Sequence, residues 1–174
     1  MKSTVTLGIV TMVLAAAGAA ANNADEVQAL SSAKLSLTDA IKIAEKEGNG
    51  KAVDAEIESA KAGHAQYAVE VLSSDGKKLT EYKLDASTGK ITGTSNEAVE
   101  KVFTRVKPHE LQSAQTSLAG AIRAAEQKTG GKVIDAETEG SGAKLRYDLK
   151  VAQADGKTEQ VKIDGTTGKV ASAE

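Results

Sequence analysis

The chain has no cysteine and no tryptophan, and its 174 residues include one proline, one phenylalanine and three tyrosines. Without cysteine there are no disulfides, so stability must come from packing. With so few aromatics, the apolar content rests on Ala, Val, Ile and Leu, and any core built from them is small. There is no excess of base either: 22 Lys and Arg stand against 24 Asp and Glu, a net charge of −2. That balance argues against nucleic acid as a partner, which calls for a basic surface. Histidine is scarce. His64 and His109 lie in unrelated contexts, and two isolated imidazoles without cysteine do not make a zinc site. Beyond the N-terminal segment, no stretch is apolar enough to span a bilayer.

That segment is present for another reason. Met1-Lys2 is a short basic start, and Val5 to Ala17 is apolar apart from Thr6, Gly8 and Thr11. Small residues follow, and the chain turns polar at Asn22. The pattern predicts a secretory signal peptide over residues 1–21, with Ala19-Ala20-Ala21 as its cleavage motif and a second cut available after Ala19. The apolar core is shorter than the roughly 20 residues of a membrane anchor. No cysteine follows it, which excludes a lipid anchor there. The expectation is an exported protein, periplasmic or secreted after cleavage near Ala21. Its mature chain from Asn22 would be 153 residues, with a net charge of −3 once Lys2 is removed.

The mature sequence is organised around a motif that occurs twice. Asp85-Ala86-Ser87-Thr88-Gly89-Lys90-Ile91 returns as Asp164-Gly165-Thr166-Thr167-Gly168-Lys169-Val170. Asp can accept from backbone N–H groups two or three residues on, and Gly supplies a positive φ, so each copy reads as a hairpin turn. Upstream of the turns the two halves align. Leu37, Ala40, Ile41 and Ala44 share one helical face, with Ser36 as N-cap and Gly48 as a stop; Leu118, Ala121, Ile122 and Ala125 repeat this behind Ser117. Alternating strands follow: Val53, Ala55 and Ile57, then Tyr67, Val69 and Val71, then Thr80, Tyr82 and Leu84. In the second half, Ile134, Ala136 and Thr138 correspond, then Tyr147, Leu149 and Val151, then Val161 and Ile163. The fold class is α+β, as two tandem repeats, each a helix packed on a small antiparallel sheet of three to four strands. The expected layout is a linker over 22–35, in which Glu26 to Lys34 reads as linker or frayed helix, unit 1 over 36–95, a connecting helix or linker over 96–115 and unit 2 over 116–174. Val99, Val102, Phe103 and Val106 predict a connecting helix from Asn96 to Lys107 that ends at Pro108 and packs by its Phe103 face.

The repeated pattern is Leu-x-x-Ala-Ile-x-x-Ala on a helix, an acidic first strand, Tyr-x-Val/Leu-x-Val, and Asp-x-x-Thr-Gly-Lys-Ile/Val. It resembles the PepSY domain, over about Ser36 to Thr92 and again over Ser117 to Ala171. The resemblance implies a helix on an antiparallel sheet in an exported protein. It also implies a protein partner, since such modules occur in propeptides of secreted metallopeptidases and have been proposed to control proteases. No peptidase domain follows here and no HExxH is present, so the expected inhibitory role acts in trans.

Catalytic chemistry finds no support. Gly140-Ser141-Gly142 lacks the spacing of a nucleophile elbow. The Gly-Lys stretches at Gly50-Lys51 and Gly131-Lys132 follow helices instead of opening them, opposite to a phosphate-binding loop. The reading is a non-enzymatic binding module with no catalytic, cofactor or metal residues and no cofactor. One constellation stands out. On the strand face away from the helix, unit 1 carries Asp54, Glu56, Glu58, Glu70 and Glu81 with a single base, Lys83. Unit 2 sets Asp135, Glu137, Glu139 and Asp148 against Lys144, Arg146, Lys150 and Lys162, which can pair across the sheet. The expected partner face is therefore Asp54, Glu56, Glu58, Glu70 and Glu81. The leading expectation is a protease inhibitor or modulator whose partner is a secreted or envelope peptidase; the alternative is that this protein is itself an envelope cation binder or sensor using the acidic face of unit 1.

Overall fold

The computed structural model describes residues 25–59, 64–103, 106–140 and 145–173. The expected signal peptide lies outside the described residues. Residues 25–32 are helical (α1), followed by α2 (Leu37–Gly48), β1 (Gly50–Ser59), β2 (Ala65–Ser73), β3 (Leu79–Asp85) and β4 (Ile91–Glu97). Two short helices, α3 (Glu100–Phe103) and α4 (Pro108–Ser113), lead to α5 (Leu118–Thr129). The chain closes with β5 (Lys132–Glu139), β6 (Arg146–Ala152), β7 (Thr158–Asp164) and β8 (Val170–Ala173). The fold is α+β, and each unit is one long helix on four antiparallel strands.

The two long helices begin and end by the same chemistry. Ser36 accepts from the Asp39 amide at 3.2 Å and Ser117 from the Gly120 amide at 3.1 Å, each satisfying an otherwise orphaned donor. At the C-terminal end it is Asn49, one residue past Gly48, that takes the left-handed cap conformation, and Gly130 does so for α5. The buried stripe Leu37, Ala40, Ile41 and Ala44 is matched by Leu118, Ala121, Ile122 and Ala125. Both stripes pack onto the inward strand residues Tyr67, Val69, Tyr82 and Leu84 and their counterparts Tyr147, Leu149, Val161 and Ile163 in a single apolar cluster.

The repeated turn closes as its residues dictate. Asp85 Oδ1 accepts from the Ser87 amide (3.1 Å), the Thr88 amide (2.8 Å) and the Thr88 hydroxyl (2.8 Å). Asp164 makes the same three bonds to Thr166 and Thr167. Gly89 and Gly168 have φ of +72° and +68°. The hydrogen bonds hold both carboxylates below their ordinary pKa.

What the repeat does not announce is how the halves join. All eight strands form one sheet in the order β4-β3-β2-β1-β5-β6-β7-β8. β1 and β5 meet antiparallel at the centre, pairing Asp54 with Glu137, Ala55 with Ala136, and Glu56 with Asp135. The aligned motifs Asp54-Ala55-Glu56 and Asp135-Ala136-Glu137 thus pair with each other about a local two-fold axis at the alanines. Both strands carry a bulge just before the motif, between Ala52 and Asp54 and between Val133 and Asp135. The extra residues, Val53 and Ile134, are both buried.

Residues 25–32, in the segment expected as a linker or a frayed helix, are helical, because Ala29 is buried and Val27, Leu30, Ala33 and Leu35 pack on the core. Two expectations change. The connecting helix begins later than its periodicity suggested: Asn96 and Glu97 are the last residues of β4, and α3 starts at Glu100. Pro108 opens α4 instead of ending a helix, since its fixed φ suits a first turn and its missing N–H has no partner to lose there. Val102 and Val106 are buried as the spacing predicts; the side chain of Phe103 lies outside the described residues.

Candidate functional site

Strand alternation puts one set of side chains against the helices and the other on the opposite face of the sheet. The register lines the second set into rows. Glu81 pairs with Glu70, Glu70 with Asp54, Asp54 with Glu137, and Glu137 with Asp148. Five carboxylates thus stand side by side across five strands, an arrangement that costs stability unless cations interleave. In the next row Glu56 lies between Ala68 and Asp135, and Asp135 is followed by Lys150. The expected face residues do share one face. Asp54, Glu56 and Glu70 sit next to the seam, while Glu58 and Glu81 are tied together further out by Lys83, at 3.1 and 3.8 Å.

Burial at the seam raises the carboxylates. Asp54 is pushed up to about 8, chiefly by desolvation and then by Glu70, Asp135 and Glu137. Glu56 is pushed up to about 7 by desolvation, with Asp135, Glu58 and Glu26 adding to it and Lys150 opposing. Asp135 is raised by desolvation, although Lys150 pulls it the other way. Among the described residues, no group of three or more Asp, Glu or His side chains is arranged to hold a metal ion.

Segments outside the sheet supply part of the compensation, a cation for unit 1 and an acid for unit 2. Lys101 of α3 reaches Glu70 Oε1 at 3.4 Å and Glu97 at 3.2 Å. The compensation that unit 1 lacks within its own strands is therefore supplied in part by the connecting segment, a correction to the expectation of an uncompensated face. On unit 2 the polarity is reversed: Lys150, which aligns with Glu70, donates to Glu26 of α1 at 2.9 Å and lies 3.6 Å from Asp135. The helix that precedes unit 1 thus reaches unit 2, while its Asp25 carbonyl accepts from Ser59 of unit 1 at 3.2 Å. Conversely, α4 precedes unit 2, yet its Gln112 side chain donates to the Ser74 carbonyl of unit 1. A second apolar cluster, Val53, Leu72, Leu79, Val102, Val106, Leu111 and Leu145, holds this segment in place.

Asp135 and Glu137 belong to the same patch as Asp54 and Glu56, which a unit-by-unit reading missed. The signal was available: Asp-Ala-Glu occurs in both first strands, and a short motif with a small central residue can pair with its own copy antiparallel. Lys101 and Glu26 carried no such signal, because their contacts depend on where flanking helices land.

The family model of the peptidase propeptide and YPEB domain, PepSY, matches residues 34–95 and 117–174. No curated protein matches the chain. Among solved structures, a candidate lipoprotein from Clostridium difficile 630 is 17% identical, with 82% of this chain and 93% of that chain covered, at a TM-score of 0.48. YpmB from Bacillus subtilis is 16% identical over 78% of this chain and 94% of its own, with a TM-score of 0.32. The C-terminal domain of Bacillus megaterium YpeB is 17% identical over 82% of this chain and 66% of its own, with a TM-score of 0.30.

Proposed function

Since this chain belongs to the PepSY family, we propose that it is an exported, non-enzymatic binding module that engages a peptidase as a separate chain and restrains it. The observation that carries this reading is the family match on both units, under a description that includes peptidase propeptides. The basic start, apolar core and Ala19-Ala20-Ala21 motif support export, and among the described residues no helix is long and apolar enough to cross a membrane. The contact surface in this reading is the acidic row at the seam, Asp54, Glu56 and Glu70 with Glu58 and Glu81 beyond them. Lys101 seated against Glu70 is an internal example of the basic segment such a surface accepts.

A second reading, an envelope cation binder or sensor, draws on the same face, where Asp54 and Glu56 are raised by burial toward neutral pH. The mature protein, immobilised and exposed to envelope extract, separates the two. Recovery of a peptidase whose activity falls on adding the soluble protein supports the first. Calorimetric binding of Ca²⁺ with no peptidase recovered overturns it in favour of the second.

A further inference from the structure

The local two-fold relates two cavities on the helix side of the sheet, and they differ in size. One lies beneath α1, lined by Leu30, Ala33, Leu37, Tyr67, Glu126 and Lys132, and measures about 290 Å³. Its twin beneath α4 is lined by the aligned residues Leu111, Ala114, Leu118, Tyr147, Glu45 and Lys51, and measures about 20 Å³. The first approaches the ~300 Å³ at which small-molecule pockets begin; the second holds little more than a water.

The polar frame is the same in both. Tyr67 donates to the Leu35 carbonyl at 2.6 Å, and Tyr147 donates to that of Thr116. Glu126 accepts from the Val133 amide at 3.3 Å, as Glu45 does from the Ala52 amide at 3.0 Å. Glu126 is also neutralised by Lys132 at 3.5 Å. These groups are engaged with one another, so they do not explain the difference. The exchanges between the copies alter the lining instead. Val133 replaces Ala52, Leu35 replaces Thr116, and Lys34 replaces Gln115. The larger cavity is therefore also the more apolar, with an added cation at its exposed rim. These larger residues do not fill it: Leu30 of α1 is half-buried where Leu111 of α4 is buried, and α4 is tied to unit 1 by the Gln112 bond to Ser74. The wall of Leu30, Leu35 and Val133 offers an apolar guest a surface to bury. Lys34 is exposed and makes no ion pair among the described residues.

We infer that the cavity beneath α1 binds a medium-chain fatty acid, with its tail against Leu30, Leu35 and Val133 and its carboxylate at Lys34. The volume suits one such chain, and Lys34, the lining lysine that Glu126 does not engage, suits one negative charge. This site is on the helix side, away from the acidic row, and stands independently of the peptidase reading.

Methyl NMR of the mature protein, titrated with decanoate below its micelle concentration, tests this. Decanoate should shift the Leu30, Leu35 and Val133 methyls and leave Leu111 and Leu118 unmoved. Ala33→Leu, which fills the space from its own wall, should weaken binding at least about tenfold, as added volume in an occupied site does. Lys34→Gln, the residue of the twin, should weaken decanoate roughly two- to fivefold, the range of an exposed ion pair, and leave decanol unchanged. An anionic lysolipid shares this chemistry; lysophosphatidate binding more tightly than decanoate overturns the assignment to a free acid. Absence of shifts at Leu35 and Val133, equal shifts at both cavities, or undiminished binding by a folded Ala33→Leu variant overturns the site.

Discussion

Glu56 of β1 stands directly opposite Asp135 of β5, at the one place where the two units share a ladder. Glu58 and Glu26 also act on Glu56 as like charges, and Lys150 is the cation that opposes them. Burial and these neighbours raise Glu56 from 4.5 to about 7 in the folded protein. A carboxyl whose folded pKa is raised binds its proton more tightly in the folded state than in the unfolded one. Its contribution to stability is therefore complete below the unfolded value and is lost as pH climbs through 7. Asp54, raised to about 8, acts in the same direction. The denaturant midpoint should fall between pH 5 and pH 8. Glu56→Gln cannot ionise and should lose part of that slope, with its largest gain over wild type at pH 8. Midpoints of both proteins at the two pH values measure this, and parallel profiles would show that Glu56 does not titrate in this window.

Thr138 offers a stabilising change. It is 1% exposed, and its hydroxyl is buried without a hydrogen-bond partner among the described residues. The aligned position in unit 1 is Ile57, equally buried. A hydroxyl kept from water without a partner carries a desolvation penalty. Thr138→Val keeps the shape and removes that group, so the variant should gain about 1 kcal/mol. Urea denaturation measures it, and a loss of stability would mean that the hydroxyl is satisfied.

Gly89→Val and Gly168→Val should each destabilise the protein by roughly 1–3 kcal/mol, because a β-branched residue is strained at positive φ. A Cβ at Gly89 would also meet Ile43 Cδ1 at 2.9 Å, and one at Gly168 would meet Thr116 Oγ1 at 2.8 Å. The sheet is continuous through β1 and β5, and each leading helix makes contact with the opposite unit. Both variants should therefore shift a single cooperative transition instead of melting their own half. Calorimetry with either variant resolving two transitions would show that the units unfold separately.

Local chemistry was legible in the sequence wherever one segment suffices to determine it. Ser36 and Ser117 as caps, the Asp85 and Asp164 turns, and the period-2 faces that carry Glu56 and Glu70 all follow from residues close in the chain. The seam did not, because Ala55 pairing with Ala136 is a contact between segments some eighty residues apart, and each strand is equally content with another neighbour. The bulges that bury Val53 and Ile134 were hidden for a related reason: alternation assigns one face per residue, and an inserted residue breaks that count. Pro108 was misread because a proline that cannot continue a helix is well suited to start one.

The acidic face gives the prediction that bears most on function. Reversing both Glu56 and Glu70 to Lys would test it, but the two sites carry different structural loads. Glu70 holds Lys101, a pair whose cation is 55% exposed, so Glu70→Lys sets two cations together and loosens α3, at about 0.2–1 kcal/mol. Glu56→Lys instead faces Asp135, turning a like-charge pair into an opposite one while losing no apolar packing. The single variant should stay folded and hold its denaturant midpoint, yet lose recovery of a peptidase that docks here through a basic segment. Asp148→Lys, which breaks the 3.0 Å pair with Arg146 on unit 2, should reduce recovery less. Raised salt should weaken the wild-type interaction, because exposed charges are screened within about 10 Å at 0.1 M. The measurement is peptidase recovered from envelope extract by each variant at low and high salt, beside its midpoint. Equal recovery by wild type and Glu56→Lys would leave these carboxylates as solvated surface, and the contact with a peptidase would have to be sought elsewhere on the two units.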